Sequence, residues 1–190
     1  SEIEDYRSEA IKRELPKYLA RSYRFLGDLN LKQNEVYNAI DNFRKGTESS
    51  DSINEWRNAS YCYSQIGRCM MTLHDYKGAI KAWDESIKRY KGIASKINIP
   101  SDRIHQALAY YYLKNYDKMR TIYKSVEKIE FTSSFTQTRK MMLRSYIALV
   151  DKEYSKSLAI ADSIKEDMMR YIVKDHIYYE THNYKDGLNN

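Results

Sequence analysis

Glycine and proline are scarce in this chain, six and two among 190 residues. β-Sandwiches and dinucleotide-binding α/β domains spend more of both on turns and phosphate loops, so the scarcity excludes those classes. The glycines, at 27, 46, 67, 78, 92 and 187, form neither GxGxxG nor a P-loop, which removes the usual phosphate cradle. Cysteine is as rare. Cys62 and Cys69 stand two helical turns apart in the sequence. On one helix a rise of 1.5 Å per residue separates them by about 10 Å, beyond the ~7 Å that a disulfide spans. Two free thiols fit a reducing compartment. The expected localisation is therefore cytoplasmic, or periplasmic if a signal or membrane segment has been removed. Uncharged stretches are short, at 58–67 and 104–113, against roughly 20 residues for a spanning helix. Residues 1–13, SEIEDYRSEAIKR, are charged throughout and do not resemble a signal peptide.

Catalytic signatures are missing too. HExxH, CxxC and GxSxG do not occur. The nearest approach to a metal site is His176-x-x-x-Glu180 with His182 beyond it, and zinc would need a further ligand from elsewhere. The acidic pairs Asp84-Glu85 and Glu166-Asp167 are adjacent in sequence, so on helices they point in different directions. The chain is expected to be no enzyme and to hold no metal or cofactor. Its net charge is +6, from 32 basic and 26 acidic residues. Residues 1–99 hold 17 and 14 of these, residues 100–190 hold 15 and 12, so each part carries +3. With no basic block, nothing here points to nucleic acid.

What the chain does have is a repeat. Tyr23, Leu26 and Gly27 are echoed further along by Tyr63, Ile66 and Gly67, and at the same offset Ala39 and Phe43 are echoed by Ala79 and Trp83. A third copy places Ala107, Tyr110, Tyr116 and Tyr123 at that spacing again. A fourth follows at a slightly shorter offset with Ser145, Ala148, Tyr154 and Ala161, and a fifth opens at Ile177. Self-similarity at such a period marks an array of supersecondary units. Each unit predicts two helices: Ala59, Tyr63, Ile66 and Met70 recur at helical spacing, and after His74-Asp75 so do Tyr76, Ala79, Ile80, Trp83 and Ile87. Small residues at Gly67, Ala79, Ala107 and Ser145 fit close helix crossings, with Phe43, Trp83 and Tyr123 filling the gaps between pairs.

The pattern Tyr63-x-x-Ile66-Gly67 followed by Tyr76-x-x-Ala79-x-x-x-Trp83 resembles the tetratricopeptide repeat family. The first unit departs from it with Val36 and Asn30, the third and fourth with Met119 and Ser157. The period is also longer than is usual in that family, which places insertions near residues 46–52 and 92–100, from lengthened second helices or longer loops between repeats. The resemblance implies an all-α, right-handed superhelical solenoid of antiparallel helix hairpins in a single domain over 1–190. Its parts would be an N-terminal helix over 1–15, repeats over about 16–58, 59–99, 100–137 and 138–166, and a partial repeat over 167–190. Residues 182–188 read as the opening of a helix that stops at Asn190, so the chain is expected to be a segment of a longer protein.

Tyrosine is the compositional anomaly, 19 residues against four Phe and two Trp. Ten, at 23, 63, 76, 110, 116, 123, 154, 171, 178 and 184, occupy packing slots of the repeat. Tyr61, Tyr111, Tyr112, Tyr146 and Tyr179 fall on first helices, on the side away from the partner helix. In the family it resembles, that side lines a concave groove. The expected groove comprises Arg21, Arg24, Tyr61, Arg68, His105, Tyr111, Tyr112, Arg139 and Tyr146, suited to an acidic-aromatic or amphipathic segment. Asp28 stands where a carboxylate clamp would want an amide. The expected function is a non-catalytic protein-interaction scaffold whose partner is a protein or peptide. The alternative is a sensory or dimerisation module of a larger bacterial signalling or transcription regulator, with a homodimer as partner.

Overall fold

A computed structural model describes residues 2–90 and 98–181. Among them it contains ten α-helices and no strand. They are α1 (Glu2–Lys12), α2 (Pro16–Lys32), α3 (Val36–Asp51), α4 (Trp56–Thr72), α5 (Tyr76–Tyr90), α6 (Asn98–Tyr112), α7 (Tyr116–Val126), α8 (Ser134–Val150), α9 (Tyr154–Asp162) and α10 (Asp167–Glu180). The chain is all-α. Of the two expected insertions, Gly46 to Asp51 continue α3, a second helix, to its end, and residues 92–97 lie outside the described residues. Pro100 lies in the first turn of α6, where its missing N–H has no helical partner to lose. Two compact units divide the chain, residues 1–109 and 110–190.

In the first unit α1 packs on α2, α2 pairs with α3, and α3 with α4, which pairs in turn with α5. The core runs through Ala39, Ile40, Phe43, Cys62, Ile66, Cys69 and Ala82. Polar ties cross between helices. Asn58 Nδ2 donates to the Ala20 carbonyl and to Ser50 Oγ, and Arg89 joins Asp51 of α3 to Glu85 of its own helix beside the Tyr63 ring. In the second unit α8 pairs with α9, and α10 packs against both. Ser145 and Ser157 exchange hydroxyl bonds to each other's carbonyls, both at 2.8 Å. Ser157 departs from the alanine of the repeat pattern and is fully buried, and that reciprocal pair is its role.

Helix ends are built in one recurring way. Glu14, Asn34, Asn54 and His74, evenly spaced along the chain, have φ between 53° and 61°; Lys114 and Lys152 share the conformation. At each, the next residue's N–H bonds to the carbonyl five back, as Glu35 to Asn30 at 2.8 Å and Asp75 to Met70 at 2.9 Å. That is a Schellman closure, and the residue completing it also stands at the start of the following helix. One helix plus its turn thus takes half of the sequence period, and a pair of them makes the whole. Glycine is the usual left-handed residue, yet no described glycine has positive φ.

The described glycines lie in helices and mark close approaches instead. A Cβ on Gly67 would stand 2.6 Å from the Trp83 indole, and one on Gly27 2.5 Å from Phe43. Both aromatics are fully buried. Two tyrosines expected to pack are instead substantially exposed, Tyr154 at 47% and Tyr171 at 52%. Each lies in the first turn or two of its helix. Tyr184 lies outside the described residues.

Candidate functional site

Helices α2 and α4 build the first candidate surface. Arg21, Arg24 and Asp28 lie along one face of α2, and Tyr61, Gln65 and Arg68 along one face of α4. Between them runs a groove of about 580 Å³ with Ile3, Phe25, Leu29 and Leu31 as apolar lining and Asp28, Lys32, Tyr61, Gln65 and Arg68 as polar lining. Tyr61 donates its hydroxyl to Asp28 Oδ1 at 2.8 Å. The Arg24 guanidinium lies 5.0 Å from the Tyr61 ring centre and 4.7 Å from that of Phe25. Its Nε is buried without a hydrogen-bond partner. Arg68 donates to Gln65 at 3.1 Å.

Electrostatics here follow from burial against charge. Burial raises the Asp28 carboxyl above its ordinary value, opposed by the Tyr61 hydroxyl and by Arg24, Arg68 and Lys32. The Tyr61 phenol is pushed up to about 12, first by burial and then by the acceptor Asp28. With Asp28 bound to Tyr61, the cations outnumber the carboxylate, so the groove's net electrostatic preference is for anions. Arg21, on the same face of α2, is half-buried.

The other expected groove residues are placed differently. His105 is buried and stacks on Trp83 with ring centres 5.5 Å apart, inside the first unit. In the second unit Tyr146 is 1% and Tyr111 7% exposed, their rings stacked at 4.5 Å. His176 of α10 closes over them, its Nε2 lying 2.7 Å from the Tyr111 hydroxyl and its ring 4.8 Å from Tyr146. Tyr111 and Tyr146 are core side chains, because α10 covers the face that spacing alone leaves open. Tyr112 is half-buried at the edge of the same cluster. Arg139 is half-buried too, with its guanidinium 5.2 Å from Phe135. Burial lowers the His176 imidazole below its ordinary value and raises the phenols of Tyr111 and Tyr146.

His176, the metal-ligand candidate, has Nε2 engaged by Tyr111, and His182 lies outside the described residues. Among the described residues no group of three or more His, Cys, Asp or Glu could hold a metal ion. Both thiols are buried, and burial pushes Cys62 up to about 12 and Cys69 to about 11. Among the described residues no helix is long and apolar enough to cross a membrane. Sequence reasoning missed Asp102, a fully buried carboxyl that bonds to both α4 and α5. An Asp shortly after Pro100 reads as a helix-start residue, and only the packing shows it is enclosed. No protein-family model and no curated protein matches the chain.

Proposed function

We propose that the chain is a tetratricopeptide-like helical solenoid serving as a non-catalytic scaffold, which binds a partner segment through the α2–α4 face. The observation that carries this reading is the groove of about 580 Å³ with Tyr61 and Arg68 on one wall and Asp28 and Lys32 on the other. Its apolar lining offers area for an aromatic or aliphatic side chain, and its cations offer charge-assisted bonds to a neighbouring carboxylate. Tyrosine and arginine supply such contacts at low conformational cost. The experiment is selection from a displayed random-peptide library, followed by binding of the enriched peptides to Arg68→Glu. Acidic-aromatic peptides that bind the wild type and lose at least about tenfold on Arg68→Glu, with unchanged circular dichroism, agree with the reading. Enrichment of none, or equal binding to the variant, overturns it.

A second reading, a self-association module of a larger regulator, is favoured by α10. Met168 is 72%, Ile172 48% and Tyr179 61% exposed on that helix, an apolar display that two copies could cover.

A further inference from the structure

A buried carboxyl that the groove does not use is Asp102, in the first unit, near the start of α6. It is 1% exposed. Ser64 Oγ of α4 lies 2.6 Å from its Oδ1, and Ser86 Oγ of α5 lies 2.7 Å from its Oδ2. The same Ser86 Oγ lies 2.9 Å from the Ser60 carbonyl oxygen. A hydroxyl carries a single proton. If Ser86 spends that proton on the Ser60 carbonyl, which can only accept, the proton between Ser86 and Asp102 must come from the carboxyl. Ser64 then donates to the remaining oxygen, and every polar atom along the chain from Ser64 through Asp102 and Ser86 to the Ser60 carbonyl is satisfied. An ionised Asp102 would leave two acceptors competing for the Ser86 proton.

We infer that in acid Asp102 is a neutral carboxyl whose Oδ2–H donates to Ser86, making a proton-dependent latch that docks the start of α6 onto α4 and α5. The charged surroundings do not counter this. On α4 the cation facing it is Arg68, which lowers the carboxyl, as would hydrogen bonds donated by Ser64 and Ser86; burial outweighs all three. On α5 the carboxylates Asp84 and Glu85 are engaged by Gln106 and Arg89. On α6 its neighbours in sequence include Arg103 and His105, the latter stacked on Trp83. Burial, the largest influence, moves the carboxyl from 3.8 up to about 6. For an acid raised in the folded state, the native form binds the proton more tightly than the unfolded one. Stability from the latch is therefore present in acid, falls as pH rises from about 4 to about 6, and is gone above that window. The span corresponds to roughly a hundredfold in the opening equilibrium.

The test is a carbon-13 NMR titration of the Asp102 carboxyl, paired with amide exchange of α6 between pH 4 and pH 7, corrected for the intrinsic rate. A midpoint near 6, with α6 exchange rising up to about a hundredfold in the wild type and staying nearly flat in Asp102→Asn, agrees with the latch. Asparagine is isosteric and can donate to Ser86 and accept from Ser64 without titrating. Ser86→Ala gives a second readout. If Ser86 accepts the acid's proton, its loss lowers the Asp102 midpoint; if it donates to a carboxylate, its loss raises it. A wild-type midpoint near 4, a rise in Ser86→Ala, or equal pH dependence in Asp102→Asn and the wild type overturns the proposal.

Discussion

Replacing Gly67 by alanine adds one methyl group at a tight helix crossing of the first unit. The new Cβ would stand 2.6 Å from Cε2 and Nε1 of Trp83, so relief to ordinary contact requires roughly 0.8 Å or more of movement. The indole has little freedom to give it. Trp83 is fully buried, is stacked on His105, and donates Nε1–H to the Ser64 carbonyl at 3.2 Å. Overpacking of this kind costs about 1–3 kcal/mol, and a strained or broken indole hydrogen bond adds about 1 kcal/mol. Against this, alanine exceeds glycine in helix propensity by about 1 kcal/mol. The expected net loss is about 1–3 kcal/mol, read by urea denaturation followed by far-ultraviolet circular dichroism. Trp83→Leu makes the cause specific, because a shorter side chain leaves room for the methyl. In that background Gly67→Ala should cost at least about 1 kcal/mol less. A Gly67→Ala protein as stable as the wild type, or full additivity with Trp83→Leu, would refute the argument that the glycine is there for the indole.

Two further expectations use the turns and the thiols. Lys114→Gly and Lys152→Gly, at positions with φ of 57° and 62°, should each raise stability by about 0.5–1 kcal/mol by removing the Cβ penalty of the left-handed conformation, measured by the same denaturation; a loss would show that the lysine side chains contribute more than the strain costs. Cys62 and Cys69 have thiols pushed up to about 12 and about 11, so at pH 8 the reactive thiolate is scarce in the folded state. Modification by a thiol reagent should then be slow in the native protein and immediate in denaturant, with the native rate still rising at pH 10; fast native labelling at pH 8 would contradict the burial assigned to them.

Much of the fold is written locally. The spacing of Ala59, Tyr63, Ile66 and Met70 specifies a helix face because side chains three and four apart share one side, and the sequence alone predicts the turn at His74-Asp75 that ends it. Gly67 reads as a close helix crossing, but the sequence puts Trp83 in the gap between pairs, and only the packing sets its indole against Gly67 of its own pair. Other features are not local. That Glu14, Lys114 and Lys152 adopt positive φ could not be read from residue type, because the Schellman hydrogen bonds outweigh the preference of the side chain. Tyr111, Tyr146 and His105 carry the same helical spacing as Tyr61, yet Tyr61 lines a groove while they are buried in cores. Their burial depends on α10 closing over the tyrosine pair and on Trp83 meeting the histidine. Asp102 is the plainest case: its chemistry is fixed by Ser64 and Ser86, which belong to other helices far along the chain. Periodicity determines which face of a helix is apolar. What meets that face, and whether a carboxyl beside it keeps its water, is decided only when the helices pack.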